Sequence, residues 1–194
     1  MFQKTNALIT AAGFSERMGT HKALLKFDCN HNFLEKLIEN YSIIGCNEII
    51  ITANSDLFKS IESYQNNQIK IIENRHPEYE RLYSIIIGLQ AMSSSNFCFI
   101  QSVDNPFVKT ETLLKLSEYC NYETIVEPIY KNNGGHPIII NKFIIDCLKN
   151  NNNYQLRLNQ ILRQFPKQKI ETNDECILFN INTIDDYNKA MKTI

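Results

Sequence analysis

The stretch Asn6-Ala-Leu-Ile-Thr-Ala-Ala-Gly-Phe-Ser-Glu-Arg-Met-Gly-Thr-His-Lys22 indicates the fold of this chain more clearly than any other. Its apolar run, Ala7–Ile9, suits a buried strand, and it ends in three small residues, Ala11, Ala12 and Gly13. A strand that opens into such a loop exposes successive backbone N–H groups, which together form a concave anion-binding surface. The sequence therefore predicts an anion site directly after the first strand.

Three polar side chains of this turn, Ser15, Arg17 and Lys22, indicate that the anion is a polyphosphate. A guanidinium binds phosphate oxygens in a bidentate manner, and a lysine adds a mobile positive charge. Neither G-x-G-x-x-G nor G-x-x-x-x-G-K-[ST] is present in the turn, so it matches neither the dinucleotide fingerprint nor the Walker loop. The alternative is an ordinary strand and polar turn in which Arg17 and Lys22 are only solvated.

Apolar runs of strand length alternate with amphipathic segments of helical length along the rest of the chain. Continuous apolar runs such as Ile49–Ile51 and Phe97–Ile100 are typical of a sheet that is covered on both faces. Regular alternation predicts βαβ units, and hence a three-layer α/β/α, Rossmann-like fold with a mostly parallel sheet. Because ligands of such sheets bind beyond the carboxyl ends of the strands, we expect Gly13 and Asp104 at one edge.

The predicted elements fit one domain that comprises residues 1–194. The predicted strands are residues 7–11, 48–53, 69–73, 97–103, 124–129, 137–140, 169–172 and 177–180. The predicted helices are residues 33–44, 56–66, 84–92, 110–119, 142–149, 155–164 and 184–192.

Composition excludes several classes of protein. Twenty Lys and Arg balance 21 Asp and Glu, and without a basic stripe there is no reason to expect a nucleic-acid partner. No apolar run reaches the roughly 18 residues of a membrane span, so we expect a soluble, cytoplasmic protein with no membrane partner. The six cysteines lie far apart without a C-x-x-C pair, which favours buried thiols over a zinc site.

The segment from Ala11 to Lys22 resembles the Ala-Ala-Gly-x-Ser-x-Arg-Met-Gly-x-x-Lys signature of the MobA-like NTP transferase family, the relatives of molybdenum cofactor cytidylyl- and guanylyltransferases. The resemblance spans almost the whole chain and implies a fold of the nucleotide-diphospho-sugar transferase type. It also implies that a nucleoside triphosphate is bound here, with Arg17 and Lys22 acting in catalysis. The residues of this segment that it implicates in nucleotide binding are Ala11, Ala12, Gly13, Ser15, Arg17 and Lys22.

Asp104 follows an apolar strand and precedes Pro106, where a carboxylate can hold a divalent cation against phosphate oxygens. Alternatively, it forms an Asx turn before the proline or caps the helix predicted near Thr110. The family's Asp-x-Pro motif favours the first interpretation. The resemblance thus implies that Asp104 is catalytic and binds Mg²⁺.

The segment Asn180-Ile-Asn182-Thr-Ile resembles the closing motif of the family, which implies that Asn180 or Asn182 completes the magnesium shell. We favour Asn182, which lies at the exit of a predicted strand. The alternative is that Asn182 or Thr183 only caps the last helix.

Two further regions bear on substrate contacts. Asn74 and Ser84 match the family region that contacts base and ribose, although Ser84 alone would suit a helix cap. The residues between them, 80–83, depart from the family pattern, and there Arg81 is either an additional phosphate contact or a solvated arginine.

Gly134-Gly-His136-Pro137 resembles a Gly-His-Pro segment beside the acceptor, so His136 is the predicted acceptor contact. Residues 153–157 depart from the cytidylyltransferase pattern, of which only Arg157 remains.

Taken together, the resemblance implies a Mg²⁺-dependent nucleotidyltransferase that moves NMP from an NTP to a phosphorylated small acceptor and releases pyrophosphate. An Ala-Ala-Gly opening favours CTP, with molybdopterin as acceptor and a molybdoenzyme as client. The alternatives are the same chemistry on a sugar, polyol or amino-alcohol phosphate, or a nucleotide-binding chaperone without catalysis. An NAD-dependent oxidoreductase is disfavoured because G-x-G-x-x-G is absent.

Overall fold

The computed structural model describes residues 5–13 and 19–193, and within them eight strands form one mixed sheet. The strands are β1 (Thr5–Ala11), β2 (Ile49–Asn54), β3 (Ile69–Asn74), β4 (Phe97–Ser102), β5 (Ile125–Tyr130), β6 (Asn133–Gly134), β7 (Ile138–Asn141) and β8 (Lys167–Glu171). The helices are α1 (Phe33–Ile43), α2 (Ser55–Ile61), α3 (Glu80–Ala91), α4 (Thr110–Glu118), α5 (Lys142–Lys149), α6 (Leu158–Leu162) and α7 (Ile184–Thr193). Short 3-10 helices are Lys22–Leu24, Glu62–Tyr64, Pro77–Tyr79 and Glu175–Leu178.

The strands follow the order β3-β2-β1-β4-β7-β5-β6, and β8 pairs with β5. Strands β1 to β4 are mutually parallel, β8 is parallel to β5, and β7 is antiparallel to both of its neighbours. The carboxyl ends of β1 to β4 therefore meet at one edge of the sheet. This arrangement confirms the predicted three-layer, Rossmann-like fold with a mostly parallel sheet.

The two faces of the sheet are buried under separate helical layers. Along β1, Ala7 and Ile9 face the core shared with α1, α2, α4 and α7, whereas Leu8 faces the core shared with α3, α5 and α6. This is the alternation that a pleated strand imposes. It explains why the central strands carry runs of consecutive apolar residues, such as Ile49–Ile51 and Phe97–Ile100, as predicted for a sheet covered on both sides. None of the helices in the described residues is long and apolar enough to span a bilayer.

One predicted strand, residues 177–180, is wrong. A 3-10 helix occupies Glu175–Leu178 instead, because the buried carboxylate of Asp174 accepts hydrogen bonds from the backbone N–H of Cys176 and of Lys109. Such side-chain bonds to nearby backbone compete with strand pairing.

Two helix boundaries also differ. Helix α3 begins at Glu80, four residues before Ser84, so Ser84 lies within the helix and does not cap it. The segment predicted as a helix over 155–164 is helical only over Leu158–Leu162.

Gly88 sets how closely α3 lies on the sheet. A Cβ atom at this position would clash with Cδ1 of Leu8 and lie 2.9 Å from Cγ2 of Thr52. Helix α3 buries Leu82, Ile85, Ile86 and Leu89 against the same face. Because Gly88 has no side chain, α3 can pack closely on the sheet. This close packing sets the position of the first turn of α3 relative to the carboxyl ends of β1 and β2.

We expect Gly88→Ala to lower the free energy of unfolding by about 1–3 kcal/mol, since overpacking forces the helix from the sheet. Urea denaturation measures this loss. Leu8→Ala alone is expected to cost about 2–5 kcal/mol because it leaves a cavity. In the double variant the methyl group added at position 88 fills part of that cavity, so its loss is smaller than the sum. Strictly additive losses would contradict this contact.

The Gly134-Gly-His136-Pro137 segment packs against the 3-10 helix Glu175–Leu178. A Cβ atom on Gly135 would lie 2.6 Å from the carbonyl oxygen of Ile177, and the backbone N–H of His136 donates to that oxygen at 2.9 Å. This close approach requires glycine. Burial lowers the pKa of His136 to about 4, and the charges of Arg81 and Lys167 act in the same direction while Glu127 opposes them.

The histidine makes stability depend on pH. Its ordinary pKa is about 6.5, so between pH 6.5 and 4 the unfolded chain binds a proton that the folded chain does not. The free energy of unfolding is therefore expected to fall by on the order of 3 kcal/mol as pH drops through this interval. Urea denaturation at several pH values measures the slope, and His136→Gln should lack this component. Equal slopes in the two proteins would contradict the assignment.

Candidate active site

A cleft of about 200 Å³ opens at the carboxyl ends of β1, β3 and β4. It is lined by Thr10, Ala11, Ala12, Gly13, His21, Lys22, Ala23, Asn74, Arg81, Ser84, Ser102, Val103 and Asp104. The structure thus brings together seven residues that the sequence nominated from distant parts of the chain: Ala11, Ala12, Gly13, Lys22, Asn74, Ser84 and Asp104. Ser15 and Arg17, nominated with them, lie outside the described residues.

Lys22 connects the turn after β1 to the opposite side of the cleft. It opens the 3-10 helix Lys22–Leu24, which is anchored in the core by Ala23 and is followed by the buried Leu25. Lys22 Nζ lies 3.2 Å from Oδ1 of Asp104 and donates a hydrogen bond of 3.3 Å to Oδ1 of Asn182. The ammonium group of Lys22 therefore contacts one side-chain oxygen from each of two motifs that lie much later in the chain.

The carboxylate of Asp104 faces the cleft, where a third of the side chain is exposed. Its backbone carbonyl accepts a bond of 2.7 Å from the N–H of Ile181, which places the segment before α7 alongside β4. The capping position of α4 belongs to Lys109, and no side chain caps that helix there. Capping of α4 by Asp104 is thus wrong, and the side chain pairs with Lys22.

Thr183, not Asn182, caps the last helix. Oγ1 of Thr183 accepts from the N–H of Asp186 at 3.1 Å, and the Asp186 carboxylate accepts from the N–H groups of Asn182 and Thr183. The side-chain amide of Asn182 is therefore directed to Lys22 and not to the helix. The nearby amide of Asn180 donates to the carbonyl of Leu178, at 3.5 Å. Asn182 follows a 3-10 helix and an extended segment rather than the predicted strand.

Asn105 holds the two sides of this arrangement together, a role that the sequence did not suggest. Its side chain is fully buried and donates to the carbonyl oxygens of Cys176 at 2.9 Å and Phe179 at 2.6 Å. Its own carbonyl accepts from the side chain of Gln101, which in turn accepts from the hydroxyl of Tyr41. A polar residue between Asp104 and Pro106 was the only local signal, because its partners lie some 70 residues away.

Asn74 and Ser84 meet at the end of β3. The amide of Asn74 donates to Oγ of Ser84 at 2.9 Å, and its oxygen accepts from the N–H of His76. Both side chains are buried beside the cleft. Because the serine oxygen acts as an acceptor here, its own O–H remains available as a donor to a ligand.

A second cavity of about 260 Å³, the side cavity, adjoins the cleft and shares Arg81 with it. Its lining residues are Arg81, Leu82, Ile100, Glu127, His136, Ile138, Leu156, Arg157, Leu158, Asn159, Leu162 and Lys167. His136, the nominated acceptor contact, therefore lies outside the cleft but next to it.

Each cavity is lined by one histidine with an unpartnered ring nitrogen. His21 lines the cleft and His136 lines the side cavity, and Nδ1 of each ring is buried without a hydrogen bond to any described residue. Buried polar atoms are nearly always hydrogen-bonded in a folded protein. The two histidines therefore carry unused hydrogen-bonding capacity next to the cavities. His21 carried no distinguishing signal in the sequence beyond its position beside Lys22.

The described residues contain no group of three or more His, Cys, Asp or Glu side chains that is arranged to hold a metal ion. The two oxygens that converge on Lys22, a carboxylate and an amide, are hard donors of the kind that Mg²⁺ prefers. That ion usually keeps several waters and uses one or two protein ligands together with substrate phosphates. Asp104 and Asn182 therefore fit a cation that arrives with a phosphate substrate.

Comparison with known proteins agrees with this geometry. The family described as MobA-like NTP transferase domain matches residues 7–170. The molybdenum cofactor cytidylyltransferase of Escherichia coli K12 is 28% identical over 186 residues, which cover 94% of this chain and 93% of that protein. The "Probable molybdenum cofactor guanylyltransferase" of Natranaerobius thermophilus is 31% identical over 115 residues, or 58% of this chain and 53% of that protein.

Among solved structures, Rv0371c from Mycobacterium tuberculosis H37Rv superposes with a TM-score of 0.81 at 20% identity, covering 99% of this chain and 100% of that one. The same protein solved in complex with manganese gives a TM-score of 0.76 at 15% identity, with coverage of 99% and 100%. These similarities show the fold. Since the family match extends over most of the sequence, the chain belongs to the MobA-like NTP transferase family and is a nucleotidyltransferase.

Proposed function

We propose that this protein transfers CMP from CTP to the phosphate of a small acceptor, with molybdopterin as the acceptor and Mg²⁺ as the cofactor. The convergence of Asp104 and Asn182 on Lys22, a residue that lines the sheet-edge cleft, carries this proposal. It places the positively charged, flexible side chain of Lys22 next to two hard oxygen donors. A metal-bound triphosphate requires this combination. A molybdoenzyme would be the client of the product.

The reaction needs no protein base. An ionised phosphate oxygen of the acceptor attacks the α-phosphorus of the nucleotide in line with the leaving group. The new P–O bond forms as the bond to the bridging oxygen breaks, and pyrophosphate leaves with the electron pair. Because a phosphate monoester is already ionised near neutral pH, catalysis consists of positioning and charge stabilisation.

The residues of the cleft divide these tasks. Backbone N–H groups at Ala12 and Gly13 and the hydroxyl of Ser84 would donate to nucleotide oxygens, with Asn74 fixing Ser84 at 2.9 Å. Lys22 would neutralise charge on the triphosphate and on the departing pyrophosphate. Asp104 and Asn182 would hold the magnesium ion, which when bound supplies Lewis-acid neutralisation of phosphate charge. The manganese complex of Rv0371c supports a divalent cation in this fold.

Two observations support CTP as the donor. The Ala11-Ala-Gly13 opening is the form that goes with pyrimidine donors in this family, and the Escherichia coli relative, which matches 94% of this chain, is a cytidylyltransferase. The guanylyltransferase relative makes GTP the necessary comparison. Incubation with each of the four NTPs, Mg²⁺ and molybdopterin, with pyrophosphate as readout, tests donor and acceptor together. Release with CTP alone is expected, whereas release with GTP alone would contradict the proposed donor.

We expect Asp104→Asn to lower turnover by about 100- to 1,000-fold, or roughly 3–4 kcal/mol, because one charge-stabilising contact is lost. The amide is nearly isosteric, so circular dichroism and the unfolding midpoint should change little. Asp146→Asn is a matched control, since this carboxylate lies on the surface of α5 and pairs with Lys142. Pyrophosphate release measures both variants.

The same variant separates catalysis from a chaperone role. A nucleotide-binding accessory protein would keep its biological activity after Asp104→Asn, which can be measured as restoration of molybdoenzyme activity in cells that lack the protein. Full restoration by this variant would contradict the enzymatic proposal, and failure of Asp146→Asn would show that the assay reports instability.

A further inference from the structure

Arg81 occupies the junction of the two cavities. It is the second residue of α3, and it lines both the cleft and the side cavity. Among the described residues no ion pair or hydrogen bond engages its guanidinium. The residue as a whole is exposed, yet enough protein surrounds the charged group that desolvation lowers its pKa, while the Asp104 carboxylate acts in the opposite direction. The guanidinium is thus within electrostatic range of Asp104 on one side.

On its other side Arg81 acts on His136. The positive charge of Arg81 contributes, after burial, to the lowered pKa of that histidine. Arg81 therefore stands between the carboxylate nominated for the metal and the histidine nominated for the acceptor. In the proposed reaction the acceptor phosphate must cross this same space to reach the α-phosphorus.

An aromatic cluster supports the position of Arg81. Tyr79 and Tyr83 flank it in sequence and both pack on Tyr154, with ring centroids 5.4 and 5.0 Å apart respectively. The cluster joins the beginning of α3 to residues 150–157, and Arg157 at the end of that segment also lines the side cavity. The two segments that depart from the family pattern are thus in contact with each other.

The side cavity carries an excess of positive charge. Glu127 pairs with Lys167 at 2.7 Å, so these two charges compensate each other. Arg81 and Arg157 have no such partner among the described residues. His136 also lines this cavity, and its Nδ1 is buried without a hydrogen bond to any described residue. The two arginines, both exposed, therefore remain available to an anionic, hydrogen-bonding ligand in the side cavity.

We propose that Arg81 binds the phosphate group of a phosphomonoester acceptor at the junction, with the body of the acceptor in the side cavity. This inference rests on the proposed function and names Arg81 as the residue that binds the phosphate of the acceptor. A guanidinium there offsets the repulsion between acceptor phosphate and nucleotide triphosphate, and its planar fork orients the attacking oxygen. Arg81 is then a contact that distinguishes phosphorylated acceptors from their free alcohols.

Binding of phenyl phosphate to the full-length protein tests the proposal. The protein is first saturated with α,β-methylene-CTP and Mg²⁺, and phenyl phosphate and phenol are then titrated separately by NMR. We expect the wild type to bind phenyl phosphate and not phenol. Arg81→Gln should weaken phenyl phosphate binding about tenfold or more, and Arg81→Lys should restore part of the loss because it keeps the charge but not the fork. Arg163→Gln, on an exposed arginine outside both cavities, is the matched control.

The nucleotide titration distinguishes a failure of the Arg81 proposal from a failure of the proposed function. Arg81→Gln should leave the dissociation constant of α,β-methylene-CTP within about twofold of the wild-type value, a change of less than half a kcal/mol. An unchanged affinity for phenyl phosphate in Arg81→Gln, no binding of phenyl phosphate by the wild type, or an equal loss of affinity for nucleotide and phenyl phosphate would overturn the role of Arg81. Absence of nucleotide binding in the wild type would instead overturn the proposed function.

Discussion

The candidate site depends on one interaction, the convergence of Asp104 and Asn182 on the ammonium group of Lys22. The three residues come from the turn after β1, the end of β4 and the segment before α7. A lysine between two oxygen donors is well suited to the free protein, because it compensates the carboxylate; in the proposed function a cation and a phosphate would take its place together. The contact is only partly exposed, so its charges are screened less by salt than those of surface pairs.

The rest of the fold maintains this convergence. Parallel pairing of β1 with β4 sets Ala12 and Asp104 at one level, and the buried amide of Asn105 ties the following loop to residues 176–179. Thr183 caps α7 and so leaves the side chain of Asn182 to accept from Lys22. On the opposite side, Gly88 lets α3 approach the sheet, which brings Ser84 to Asn74 and Arg81 to the junction of the cavities.

The sequence predicted what depends on local pattern and on motif. The apolar runs predicted seven of the eight strands. The motif residues, among them Gly13 and Asp104, predicted the part of the cleft that the structure describes. The failures involve partners that are distant along the chain. Residues 177–180 are not a strand because Asp174 bonds to Lys109, about 65 residues away. No local signal reveals such contacts.

A crystal structure with α,β-methylene-CTP and Mg²⁺ tests the central claim most directly. The account predicts the triphosphate in the cleft beside Gly13, the metal between Asp104 and Asn182, and the ammonium group of Lys22 moved from the carboxylate to a phosphate oxygen. An intact contact between Lys22 and Asp104, with the nucleotide bound elsewhere on the molecule, would contradict it.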